Sequence, residues 1–143
     1  MRLERLTLSG FKSFADATEV RFDAPINGIV GPNGCGKSNV VDALKWVLGE
    51  RSAKSLRGGS MLDVIFAGAH ARPPSDLAKV ELVFSNPIVN RDQDGQPQRE
   101  LPINTEEVSI CRALDRDNTS RYFINGSKAK AKEIRELLYG TGM

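Results

Sequence analysis

The chain has 143 residues, 40% hydrophobic and 27% charged, which suits one domain with a real core and excludes a disordered polymer. Its 20 basic and 18 acidic residues leave a net charge of +2, so only a local cluster, not overall charge, can argue for nucleic-acid binding. Two cysteines, Cys35 and Cys111, and one histidine, His70, make no zinc ligand set and suit a reduced, cytosolic chain; there is no signal-peptide h-region and no apolar run near the ~20 residues of a membrane helix.

In chain order, Leu3, Leu6 and Leu8 lie in one alternating stretch and Val20 and Phe22 in another. These predict an antiparallel strand pair turning near Asp16. "INGIVG" is a short apolar run expected to be a buried strand, weakened by Gly28. From Lys37 to Leu48 the period changes, and Val40, Val41, Leu44, Val47 and Leu48 recur at helical spacing, with Gly49 as the stop. "RSAKSLRGGS" at 51–60 reads as a basic, flexible segment, and "MLDVIFAG" is too short to assign. Val80, Leu82 and Phe84 alternate as a strand. Residues 86–105, with three prolines and Asp94-Gly95, read as a loop or hairpin tip. "EVSICRAL" and "SRYFI" follow as strands around "DRDNT", with Asn125-Gly126 closing the second. Ser127 is the expected cap of a last helix whose apolar face is Ala131, Ile134, Leu137 and Leu138.

One stretch carries chemistry. "GPNGCGKSN" at 31–39 places Gly31, Gly34, Gly36, Lys37 and Ser38 in the pattern G-x-x-x-x-G-K-[ST]. A loop that wraps polyphosphate must aim several backbone N–H groups inward, and glycine allows both the angles and the close approach. The helix that starts near Lys37 adds its positive end. Lys37 then reaches the β- and γ-phosphates, and the Ser38 hydroxyl is the Mg²⁺ ligand. The apolar run before the loop and the helix after it are the context such a site requires, so ATP and Mg²⁺ are the expected ligands.

The blocks "GFKSF" (10–14), "GPNGCGKSNVVDALKWVLGE" (31–50), "SLRGG" (55–59), "DVIFAG" (63–68) and "YFING" (122–126) occur in that order. Together they resemble the N-terminal head segment of the structural maintenance of chromosomes (SMC) proteins, most closely the bacterial chromosome-segregation type. The resemblance covers nearly the whole chain; only 86–105 looks variable. It implies an α/β fold of the ABC-type ATPase kind: a mixed sheet from the early strands, a P-loop helix packed on it, and an antiparallel region of later strands. Residues 1–143 would be the N-terminal lobe of a head completed by a C-terminal lobe beyond a coiled coil and hinge. ATP would be sandwiched between two heads of a homodimer. Hydrolysis would separate them, in a cycle that acts on DNA in chromosome condensation and segregation. A kleisin subunit would be a further partner, mostly through other regions, and the setting is the cytoplasm at the nucleoid, with no membrane role. No apolar run ends in an Asp-Glu pair, and no signature motif or Q-loop is found. The stretch alone is therefore expected to bind ATP weakly and not to turn it over. The rival reading is a head fragment of another ABC-type ATPase in DNA repair or recombination.

By resemblance, Arg57 faces the nucleotide and joins Lys37 as a catalytic candidate, a role suited to a guanidinium's bidentate hold on phosphate. Lys12 and Ser13 are candidates for the nucleotide's base or phosphates, with Phe11 and Phe14 in the core. Pro32, Asn33, Cys35 and Asn39 complete the cofactor-binding set; Cys35 is a small tolerated side chain there, and Asn39 is also suited to satisfying helix-start donors. Trp46 reads as packed. Arg51, Lys54 and Arg57 make one basic group, and Arg116, Arg121, Lys128, Lys130 and Lys132 a second. The second is a candidate for salt-sensitive contact with DNA backbone, although a solvated face is the commoner use of such charge.

Overall fold

The computed structural model describes residues 1–23, 37–49 and 59–139, and of Lys37 the backbone alone. The strand expected at 26–31 and residues 51–58 of the basic segment 51–60 lie outside these residues.

Period-two alternation forms the scaffold. Strand β1 (Arg2–Ser9) pairs antiparallel with β2 (Thr18–Arg21), Leu6 opposite Val20 and Leu8 opposite Thr18. On its other side β1 pairs with β3 (Leu77–Ser85), β3 with β6 (Glu107–Asp115), β6 with β7 (Ser120–Ile124), and β7 with β8 (Ser127–Ala129). The resulting order is β2-β1-β3-β6-β7-β8. Every pairing among the described residues is antiparallel. The early and late strands, expected as two regions, therefore join one sheet. The register explains why. It aligns Leu6, Leu82, Ile110 and Ile124 in one row and Leu8, Val80, Arg112 and Tyr122 in the next, which builds one apolar face across the sheet.

Helix α1 (Lys37–Val47) and helix α2 (Ala131–Leu138) bury their apolar residues in the core cluster built on that face. On α1 the buried stripe is Val40, Ala43, Trp46 and Val47, while Val41 is 45% exposed. The stripe is thus rotated from the one read from aliphatic residues alone. At 100° per residue, positions 40, 43, 46 and 47 share a face, and position 41 falls off it. Phe11 meets Trp46 with ring centroids 5.4 Å apart and tilted by 47°.

The last helix corrects the expected cap. Asn125 (φ 49°) and Gly126 (φ 80°) make a two-residue hairpin turn that sends Ser127 straight back into β8 opposite Ile124. The helix starts after Lys130, whose N–H donates to the Glu133 carboxylate at 2.6 Å. Residues 86–105 carry a two-stranded ribbon, β4 (Ile88–Arg91) with β5 (Pro97–Arg99), turning at Gly95. The unassigned stretch after 60 contains a short 3₁₀ turn, Met61–Val64, fixed by Asp63, whose carboxylate accepts from the N–H groups of Gly59 and Ser60 at 2.9 Å each.

Candidate nucleotide site

Strand β1 delivers the first block of the site. Gly10 ends the strand at φ 61°, and a Cβ there would lie 2.1 Å from the Leu77 carbonyl oxygen, so this bend admits only glycine. The chain then folds into a tight reversal in which Phe11 and Phe14 exchange backbone hydrogen bonds of 3.0 and 2.8 Å. Phe11 also bridges Ile65, the Lys12 N–H donates to the Val64 carbonyl at 2.6 Å, and the Phe66 N–H donates to Gly10 at 2.7 Å. "GFKSF" and "DVIFAG", far apart in sequence, are therefore one hydrogen-bonded unit.

That unit grips the flank of α1. The Asn39 amide Nδ2 donates to Ser13 Oγ at 2.8 Å. Lys12 Nζ donates to Asp42 Oδ2 at 2.7 Å, with side-chain exposures of 14% and 6%. Asn39 and Asp42 are three residues apart and so share one helix flank. Ser38, one position into the helix, is exposed. The first turn of α1 holds no acidic residue, so nothing on it opposes an anion at the positive end of the helix dipole.

Of the predicted site residues, Lys12, Ser13, Ser38 and Asn39 are thus gathered around the first two turns of α1. Gly31, Pro32, Asn33, Gly34, Cys35, Gly36, the Lys37 side chain and Arg57 lie outside the described residues. So do Arg51 and Lys54 of the first basic group. The second basic group is partly committed elsewhere. Arg116 donates to the carbonyls of Ser75 at 3.0 Å and Phe66 at 3.2 Å. Arg121 pairs with Asp115 at 3.1 Å and Lys132 with Glu136 at 3.7 Å, whereas Lys128 and Lys130 are exposed. Arg116 therefore serves the loop behind "DVIFAG", because a guanidinium is the side chain that can bridge two backbone acceptors. Cys111 is buried, and that burial pushes its thiol up to about 11. It stays protonated at neutral pH and is no nucleophile.

Sequence reasoning missed two residues that hold α1. Asp42 interrupts a run of apolar residues and stands at i+3 from Asn39, a signal that was available. Arg112 was not legible: it alternates inward with Ile110 and Leu114 on β6, where a core strand calls for an apolar residue. It is 4% exposed, donates to the Trp46 carbonyl at 2.8 Å and to Ser120 Oγ at 3.2 Å, and lies between the Trp46 and Tyr122 rings at 4.6 and 5.1 Å. A cation at the last turn of α1 complements the dipole there.

Residues 2–143 match the RecF/RecN/SMC N terminal domain family. The chain is 47% identical, over all 143 residues, to the Chromosome partition protein Smc of Xanthomonas oryzae pv. oryzae, and spans 12% of that protein's length. It is similar in structure to a chain solved in work on ATP-driven dimerization and DNA-stimulated activation of SMC ATPases. There the TM-score is 0.85 and the identity 37%, over 96% of this chain and 78% of that one. A second similar structure is the Smc head domain with an extended coiled coil bound to the C-terminal domain of ScpA, derived from Pyrococcus furiosus. It has a TM-score of 0.83 and 38% identity, over 96% of this chain and 32% of that one.

Proposed function

Because the chain belongs to the RecF/RecN/SMC N terminal domain family, we propose that it is the ATP-binding part of an SMC head, and that the complete head engages a second head and hydrolyses ATP in chromosome condensation and segregation. The observation that carries the proposal is that α1 begins at Lys37, the lysine of the G-x-x-x-x-G-K-S pattern in the sequence, with Ser38 exposed in its first turn and the "GFKSF" turn hydrogen-bonded to the same flank.

The residues fit the ligand. Amide groups from Gly31 to Gly36 and the Lys37 ammonium are the natural holders of a triphosphate, with Pro32, Asn33 and Cys35 completing the loop. Ser38 is a hard oxygen donor, suited to Mg²⁺, which keeps most of its waters and takes one or two protein oxygens. Bound MgATP supplies the transferable phosphoryl group and the charge that bridges its phosphates. The chain's own residues bind and orient: Lys37 as electrostatic stabiliser, Lys12, Ser13 and Asn39 beside the helix start, and Arg57 as a second phosphate partner. No apolar run in the sequence ends in an Asp-Glu pair of the Walker B kind, so the proposed source of the base that positions water is another part of the complete head. A second copy of the head, DNA and a kleisin such as ScpA are the proposed partners. Lys128 and Lys130 are the exposed cations of the second group best placed for DNA backbone.

The test is complementation. Supplying the remainder of a family head should yield Mg-ATP-dependent head dimers and hydrolysis, both lost in Lys37→Ala. A complemented head that stays monomeric and inactive with Mg-ATP would count against the proposal.

A further inference from the structure

We infer that Asp42 is a positioning residue that sets the Lys12 ammonium beside the start of α1, where a bound phosphate would meet it; the inference rests on the nucleotide-binding reading above. Three observations converge. First, a carboxylate that is 6% exposed is costly to bury, even when paired with an ammonium at 2.7 Å. An apolar residue facing that core would serve stability as well or better, so the pair is better explained by registry than by stability. Second, Lys12 sits at φ 47°, a region disfavoured for a residue with a Cβ, and its N–H is held by Val64 at 2.6 Å. The backbone accepts strain at the residue whose side chain meets Asp42. Third, the contact is doubled: Ser13, the next residue, is held by Asn39 at 2.8 Å.

Ser38 and Asp42 are four residues apart, so they stack on one flank of α1 with Asn39 beside them. Two consecutive side chains of the "GFKSF" turn are thus fixed to the flank that carries the proposed Mg²⁺ ligand. The turn and the helix start then behave as one body. The Lys12 ammonium is presented about one helical turn from Ser38, where phosphate charge would collect. Asp42 sets that placement without itself touching the nucleotide.

The test is a double-mutant cycle in the full-length protein, with MgATP affinity read by calorimetry and melting followed alongside. Asp42→Asn and Lys12→Gln should each weaken MgATP by about tenfold, at temperatures where both variants are fully folded. The double variant should bind no worse than the weaker single, because each change breaks the same coupling. Asp42→Glu should recover most of the affinity. Single variants that bind like the wild type, or losses that multiply in the double, would overturn the inference. If Asp42→Asn does not fold, the double variant decides, since it removes both charges of the pair; wild-type affinity in it contradicts a positioning role. Lys37→Ala separates this inference from the reading beneath it. If Lys37→Ala abolishes binding while the Lys12 and Asp42 variants bind normally, only the inference falls. If the wild type itself takes no MgATP, both fall.

Discussion

Asn86 is fully buried and its amide is saturated. Nδ2 donates to the carbonyls of Ile103 at 2.7 Å and Thr105 at 3.0 Å, and Oδ1 accepts from the Leu101 N–H at 2.7 Å. Its own backbone carbonyl accepts from Arg99 at 2.8 Å. One side chain thereby closes the excursion from β3 to β6 and satisfies groups that water cannot reach. Asn86→Asp keeps the shape but turns a carboxylate toward carbonyls that need a donor. It should destabilise the chain by about 3 kcal/mol or more at neutral pH, read by urea unfolding, with faster proteolysis in 87–105. An unchanged unfolding midpoint would show that the loop does not depend on this amide. In the sequence, Asn86 before Pro87 carries only a turn signal. Its partners lie 15 to 19 residues onward, and no local pattern announces them.

At the scale of elements, α1 is fastened at both ends. Asn39 and Asp42 hold its start to the "GFKSF" turn, and Arg112 holds its last turn to the sheet. The Trp46 ring, fully buried, is the shared packing element, touching Phe11 on one side and Arg112 on another. Arg112→Met keeps much of the volume but removes the hydrogen bonds to Trp46 and Ser120 and the contacts with the Trp46 and Tyr122 rings. About 2–4 kcal/mol of stability should be lost, by the usual size of such charged hydrogen bonds and cation–π contacts. Trp46 is the chain's single tryptophan, so its fluorescence reports the change: the unfolding transition should move to lower denaturant, with altered emission in the folded state. A superimposable transition would mean that the helix end is held by packing alone. The existence of α1, of β1 to β3 and of the β6–β7 hairpin was legible, because each rests on a local period or a turn pair. The start of α2 was not. The Asn125-Gly126 turn implies an immediate strand return, which moves the helix N-cap to Lys130, three residues beyond the serine that resembles a cap.

For the whole molecule, the described strands form one antiparallel sheet whose apolar face carries α1, α2 and the first family block. That the early and late strands share this sheet follows from β3, which pairs with β1 on one edge and β6 on the other. Sequence alternation gives each strand its buried face but not its neighbours. The candidate site was legible in its chemistry, through the glycine loop and the order of the family blocks. Its support was not, because Lys12, Ser13, Asn39 and Asp42 meet only once β1 and α1 are packed together. The chain spans 12% of the length of the Xanthomonas relative. The proposed function places the grip on phosphate at the start of α1. The most direct measurement is calorimetric titration of the chain with ATP, with and without Mg²⁺, beside Lys37→Ala. The account predicts saturable, Mg²⁺-strengthened binding that weakens by at least about tenfold in Lys37→Ala, the minimum expected from removing a charged phosphate contact. Binding of equal strength in the variant would place the nucleotide somewhere other than the start of α1 and contradict the account.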